Sequence, residues 1–230
     1  MTPNPRRPAI ELRRAGLSRE RVLGAAVALA DESGLDELSM RKLAKSLGVE
    51  AMSLYNHIPN KEQLQNGMVD VVFSEIDPPS HSGQWKVEMR KRAISTRAAL
   101  NRHRWAVGLM EAQPNLSEAN VRLHEAVLAC LREAGFSLEM AIHAHSVQDA
   151  YIYGFALQEK PLSHQAREER IEAASRILPD SGATLDLYPY SAEVQRHIAE
   201  HGFSYEEEFL HGLELILDAL QELLGRTVPH

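Results

Sequence analysis

Apolar side chains recur along this chain at three- and four-residue spacings, and nowhere do they alternate with polar ones for long enough to form a strand. Ser18 is placed to cap a helix whose inner positions are Val22, Leu23, Ala26, Val27, Leu29 and Ala30, and Gly34 stops it. Ser39 caps a second, short helix carrying Arg41, Lys42, Leu43, Ala44 and Lys45, ended by Gly48. A third short helix is predicted from Glu50 to His57. Pro59 then forces Ile58 out of helical geometry. Asn60 with Gln63 resembles a capping box and opens a fourth helix, with a stripe of Leu64, Met68, Val71 and Val72. Pro78 and Pro79 close it.

Beyond these prolines the pattern predicts helices near 84–102, 104–112, 117–134 and 137–158, separated by Pro114 and Gly135. Residues 159–190 are polar and rich in Pro and Gly, and read as a long, partly mobile loop with a short helix around Gln165 to Ile177. Another short helix ends at Gly202. Ser204 and Glu207 form a capping box for the last helix, whose apolar face holds Phe209, Leu213, Ile216, Leu217, Leu220 and Leu224, with Leu210, Leu215 and Leu223 beside it. That face is too broad for a helix covered on one side. The helix from Ser137 to Gln158 is similarly apolar, with Ala141, Ala144, Ala150 and Gly154 permitting close approach. Both faces predict a second copy of the chain as partner, with Phe209, Leu213, Ile216, Leu217 and Leu220 at the seam. The fold class is therefore all-α.

Composition narrows the function. No apolar run approaches the ~20 residues of a membrane span, and the amino terminus lacks the apolar core of a secretory signal. Cys130 is the sole cysteine, which excludes an internal disulfide and fits a cytoplasmic protein. The net charge of −7 argues against nucleic acid until it is divided. Residues 1–61 carry 10 Lys and Arg against 7 Asp and Glu, whereas the remainder carries 15 against 25. A positively charged head on an acidic body is the result.

That head contains LGVEAMSLYNHIPNKEQL at residues 47–64. Two short helices joined by a glycine turn, the second displaying polar side chains, make a helix-turn-helix. Only the first turns of the second helix reach base edges, so it can be brief. Tyr55, Asn56 and His57 suit phosphates, Ser53 suits bases or backbone, and Ala51 and Met52 suit a thymine methyl. Arg41 can read a guanine, and Lys61 can neutralise a phosphate. Arg6, Arg7, Arg13 and Arg14 form either a minor-groove arm or a solvated tail. The chain then divides into an arm at 1–17, a DNA-binding domain at 18–62 and a larger domain at 63–230.

The words RVLGAAVALADESGLDELSMRKLAKSLGV and LYNHIPNKEQL resemble the amino-terminal domain of the tetracycline-repressor (TetR) family. CLREAGFSLEMAIHA and FLHGLELILDAL are similar to the ligand-binding and dimerisation domain of the branch holding the tetracycline repressors themselves. The resemblance implies a homodimer, joined by a four-helix bundle, that binds operator DNA and answers to a small molecule. It also implies a pocket His for the drug's magnesium, but the comparable position here is Met110; a second pocket His corresponds to Asp77 and a drug-binding Asn to Arg92. A thioether is a poor magnesium ligand. A mostly apolar organic effector without magnesium is therefore expected, held among Arg92, Thr96, Met110, His124, Leu128, His145 and Asp149. Trp85, Trp105, Tyr151, Tyr153 and Phe155 could line the same cavity, although core packing accounts for most of them. His143 and His145 point to different helical faces, so they form no joint metal site, and no cofactor is expected.

Two rivals remain. Residues 197–201, HIAEH, match a zinc-peptidase pattern, but at a helix end where histidine is favoured anyway. The other is a DNA-binding regulator with no effector. The reading is a homodimeric, ligand-responsive transcriptional regulator, a repressor rather than an enzyme.

Overall fold

The computed structural model describes residues 16–80, 83–112, 117–159 and 188–227. The four arginines of the expected arm lie outside the described residues, as do most of the expected 159–190 loop and its helix around Gln165 to Ile177. Among the described residues every regular element is helical. The chain divides into two compact units, residues 1–145 and 146–230.

In the first unit α1 spans Arg19–Ser33, α2 Met40–Leu47, α3 Ala51–Tyr55 and α4 Lys61–Ser74. After them come α5 over Trp85–Arg102, α6 over Ala106–Ala112 and α7 over Glu118–Glu133. The sequence reading did not include the 3₁₀ turn at Leu35–Glu37, which bridges Gly34 and Ser39. The caps follow the local chemistry: Ser18, Ser39 and Asn60 each accept a hydrogen bond from the backbone N–H three residues on. Helix α3 is shorter than expected, a single turn, because the residue before Pro59 cannot stay helical. Val22, Ala26, Leu43, Leu54, Ile58 and Met68 interlock as the core of the first four helices. Helix α4 is the spine, packing against α1, α6 and α7. At Gly67 it lies so near α1 that a Cβ would sit 2.6 Å from a Leu23 methyl carbon. Further along, Trp85 meets Phe136 edge-on at 4.9 Å.

Helix α8, Leu138–Gln158, begins in the first unit and ends in the second, which also holds α9, Pro189–His201, and α10, Tyr205–Thr227. Within the second unit Tyr151 stacks on Phe209 at 5.5 Å, and its hydroxyl donates to the Phe209 carbonyl at 2.9 Å. Phe155 meets the same Phe209 edge-on at 5.2 Å. Of the five side chains expected at the dimer seam, Phe209, Leu213, Leu217 and Leu220 are buried within a single copy and Ile216 is half-buried. The opposite stripe of α10 carries exposed Leu215, Ala219 and Leu223, at i, i+4 and i+8.

Candidate nucleic-acid interface

The turn before α3 is closed by backbone alone. Gly48 adopts the left-handed conformation (φ 67°, ψ 34°), its N–H reaches the carbonyls of Ala44 and Lys45, and the Val49 N–H reaches Ala44 at 3.0 Å. This is the double bond pattern that ends a helix and reverses the chain, at a conformation where a glycine is strongly favoured. Leu54 has no accessible surface and anchors α3 to the head; Ile58 does the same just beyond it. Anchored from beneath, the helix turns its other side outward. Met52 is 75% exposed, Tyr55 and Asn56 are exposed, and Ala51, Ser53 and His57 are half-buried at the edges. Arg41, near the start of α2, and Lys61, at the start of α4, are also exposed. All eight residues expected to meet DNA thus belong to one segment, residues 41–61, built around a common core.

Lysine 45, exposed in the last turn of α2, adds a cation that the sequence reading left unused. Lys42 is different, since Glu37 of the 3₁₀ turn takes its ammonium group. Near the start of α1, His57 lies close enough to Glu20 to help lower that carboxyl, although backbone and Ser18 hydrogen bonds do most of it.

The residues expected around an effector are distributed more widely. Arg92 and Thr96 are buried one turn apart on α5, and the Thr96 hydroxyl donates to the Arg92 carbonyl at 2.8 Å. His124 of α7 and His145 of α8 come together edge-to-face at 4.6 Å. Met110, Leu128 and Asp149 are half-buried. Asp77 is exposed, and its N–H is held by the Ser95 hydroxyl at 2.9 Å. Two clefts were not foreseen. One of about 730 Å³ lies between the end of α4 and α7, lined mainly by Phe73, Ile76, Pro78, Leu123 and Ala126. Another of about 710 Å³ is more polar and involves Asp77, Ser80, Glu88, Lys91 and Ser95. Neither includes Arg92, Thr96, Met110, His124, Leu128, His145 or Asp149. Local patterns reveal helical faces but not which faces leave a gap.

The HIAEH stretch forms the exposed end of α9. The His197 and His201 rings stack at 4.4 Å, and His201 Nδ1 lies 3.1 Å from the His197 carbonyl. Among the described residues no three His, Cys, Asp or Glu side chains converge as a metal site requires. Nor is any helix among them long and apolar enough to cross a membrane.

Two family descriptions match the chain in tandem: "Bacterial regulatory proteins, tetR family" over residues 22–67, and "Tetracyclin repressor-like, C-terminal domain" over residues 77–224. The class D tetracycline repressor protein of Escherichia coli is 32% identical, over 92% of this chain and 95% of its own. The HTH-type transcriptional repressor DrrR1 of Streptomyces coeruleorubidus is 30% identical over 91% of this chain and 79% of its own. Among solved structures, ActR of Streptomyces coelicolor in complex with actinorhodin superposes with a TM-score of 0.73 at 25% identity. It covers 92% of this chain and 100% of its own.

Proposed function

Because the chain belongs to the tetracycline-repressor family of bacterial regulatory proteins, we propose that it is a ligand-responsive repressor that grips a palindromic operator as a homodimer. The observation that carries this reading is α3, fixed underneath by Leu54 and presenting Met52, Tyr55 and Asn56 to the outside. In this assignment residues 18–62 form the DNA-binding head, residues 1–17 an arm, and residues 63–230 the ligand-binding and dimerisation body. Two copies place their α3 helices about 34 Å apart, one turn of DNA. Met52 and Ala51 meet thymine methyls, Arg41 reads a guanine, and Ser53, Tyr55, Asn56, His57 and Lys61 hold the backbone. The acidic body keeps the rest of the molecule from clinging to DNA. The protein acts in the cytoplasm, where its operator is, and carries out no chemistry on its ligand.

The effector in this reading is a mostly apolar organic molecule, anchored by a few polar groups and bound without magnesium. Two considerations support this. By the resemblance of the sequences, Met110, Asp77 and Arg92 correspond to the tetracycline repressors' magnesium and drug ligands, and a thioether does not suit a hard cation. The ActR structure, in turn, holds actinorhodin. His124 and His145, already in contact, are the polar groups we assign to orient the ligand, with Arg92, Thr96, Met110, Leu128 and Asp149 as further candidates. The effector releases DNA only to the extent that it binds the DNA-free state more tightly.

Selection from a random duplex library should yield a palindrome. Lys61→Ala should then weaken all sequences alike and flatten the log–log salt dependence by about one unit per protomer, whereas Arg41→Ala should relax one base position in each half-site. An unstructured, non-palindromic selection would defeat the reading. Calorimetry with tetracycline, with and without Mg²⁺, tests the effector class: magnesium-dependent binding that frees the operator would overturn it.

A further inference from the structure

The corner between α5 and α6 contains a group that neither the DNA surface nor the effector residues use. His103 caps α5, and its side chain is only 7% exposed. Nδ1 lies 2.9 and 3.0 Å from the two carboxylate oxygens of Asp31 on α1. Nε2 lies 3.0 Å from Glu75 Oε2, just past the end of α4. Each carboxylate has a second donor. The Trp105 indole N–H donates to Asp31 at 2.7 Å, and Arg102 donates to the same Glu75 oxygen at 2.6 Å. One imidazole therefore joins α1, the end of α4 and the α5–α6 corner.

Its two partners limit its protonation. A carboxylate only accepts, and a neutral imidazole carries one N–H, so one ring nitrogen would face an oxygen lone pair across 3 Å. Only the imidazolium donates at both ends. Burial raises the Glu75 carboxyl, but hydrogen bonds from Arg102 and His103 outweigh it and hold the group below its usual range, so it stays an acceptor. Asp31 on α1, Glu75 just past α4 and Arg102 at the end of α5 are charged groups facing the ring, and the turn before α6 supplies the uncharged Trp105 indole.

We propose that His103 is a proton-dependent latch: as imidazolium it holds α1 and the end of α4 against the α5–α6 corner in the DNA-binding arrangement, and loss of its proton loosens the head and weakens operator binding. This rests on the reading that α3 meets DNA. Proton loss turns one ring nitrogen into a lone pair facing a carboxylate, so the latch ties repression to proton availability.

The test compares operator affinity from about pH 6 to about pH 9, from near the free imidazole value to well above it, in the full chain and three variants. The unmodified protein should lose on the order of tenfold in affinity across the range, a coupling of ordinary size. His103→Gln should remove the pH step and leave affinity low throughout. Glu75→Gln should remove it in the other direction, because its amide donates to an unprotonated Nε2 while its carbonyl still accepts from Arg102, keeping affinity high at alkaline pH. His57→Gln is the control for a proton taken up at the DNA surface. If the step disappears in that variant and persists in the other two, the latch is overturned.

Trp105 supplies a readout without DNA. Its emission should titrate with the latch in the unmodified protein and not in His103→Gln. Titrating emission with no operator binding at any pH would reject the DNA reading alone. Emission identical in both proteins would reject the latch.

Discussion

Tyr151 donates from α8 to a carbonyl of α10 across a gap left open by Gly212, where a Cβ would come within 2.3 Å of the phenol oxygen. Gly212→Ala must push the ring away and break that bond. The expected loss is about 1–3 kcal/mol, typical of overpacking, read as a lower urea midpoint; an unchanged midpoint would show that the two helices adjust freely. Glu88 makes a different prediction. The Lys91 ammonium (2.8 Å) and Ser80 N–H (2.9 Å) hold its carboxyl down at about 2, against burial. A carboxylate whose pKa falls on folding stabilises above its unfolded value, and that contribution fades as pH drops from about 4.3 through about 2. Glu88→Gln should therefore melt earlier at neutral pH, and the gap should narrow in acid; a gap that widens in acid would be the wrong sign. Neither site was legible in the sequence. Gly212 looks like a helix flaw, because Tyr151 lies 61 residues away, and Glu88 looks like half of a solvated pair with Lys91, because the Ser80 N–H that it also accepts from lies outside its helix.

At the scale of elements, helix starts were the most readable feature. A serine or asparagine side chain and the N–H three residues later are chemistry confined to one turn, and Ser18, Ser39, Asn60 and Ser204 all make that bond. Glycine stops were equally local. Helix α3 was legible in place but not in length, because Pro59 ends it sooner than its polar residues suggest. Its single turn has almost no intrinsic stability, so Leu54 must fix it through tertiary contacts. Leu54→Ala should cost about 2–5 kcal/mol, concentrated in the head. Operator binding should fall at temperatures where the dimer persists by light scattering; loss of both together would mean that head and body melt as one. Which helices face one another was not readable, since that depends on contacts between distant residues.

For the whole molecule, periodicity predicts more apolar surface on α10 than one neighbour covers, and expects the partner on the stripe of Phe209, Leu213, Ile216, Leu217 and Leu220. Periodicity identifies a face without saying what lies against it. With Phe209, Leu213, Leu217 and Leu220 buried in a single copy, we propose that a second copy meets the exposed stripe of Leu215 (61% exposed) and Leu223 (41%). Leu215→Glu should yield a folded monomer in light scattering, because it puts like charges together at the two-fold axis. Leu213→Ala should instead lower the melting temperature with the dimer intact. A monomer from Leu213→Ala and a dimer from Leu215→Glu would place the seam on the stripe of Phe209, Leu213 and Leu217 instead. The two stripes of α10 have no residue in common. With the outer stripe as the proposed seam, pairing preference can drift among duplicated copies of such a gene without endangering the fold that each copy inherits. Sister regulators in one cell can in this way stop forming mixed pairs while remaining nearly the same protein inside.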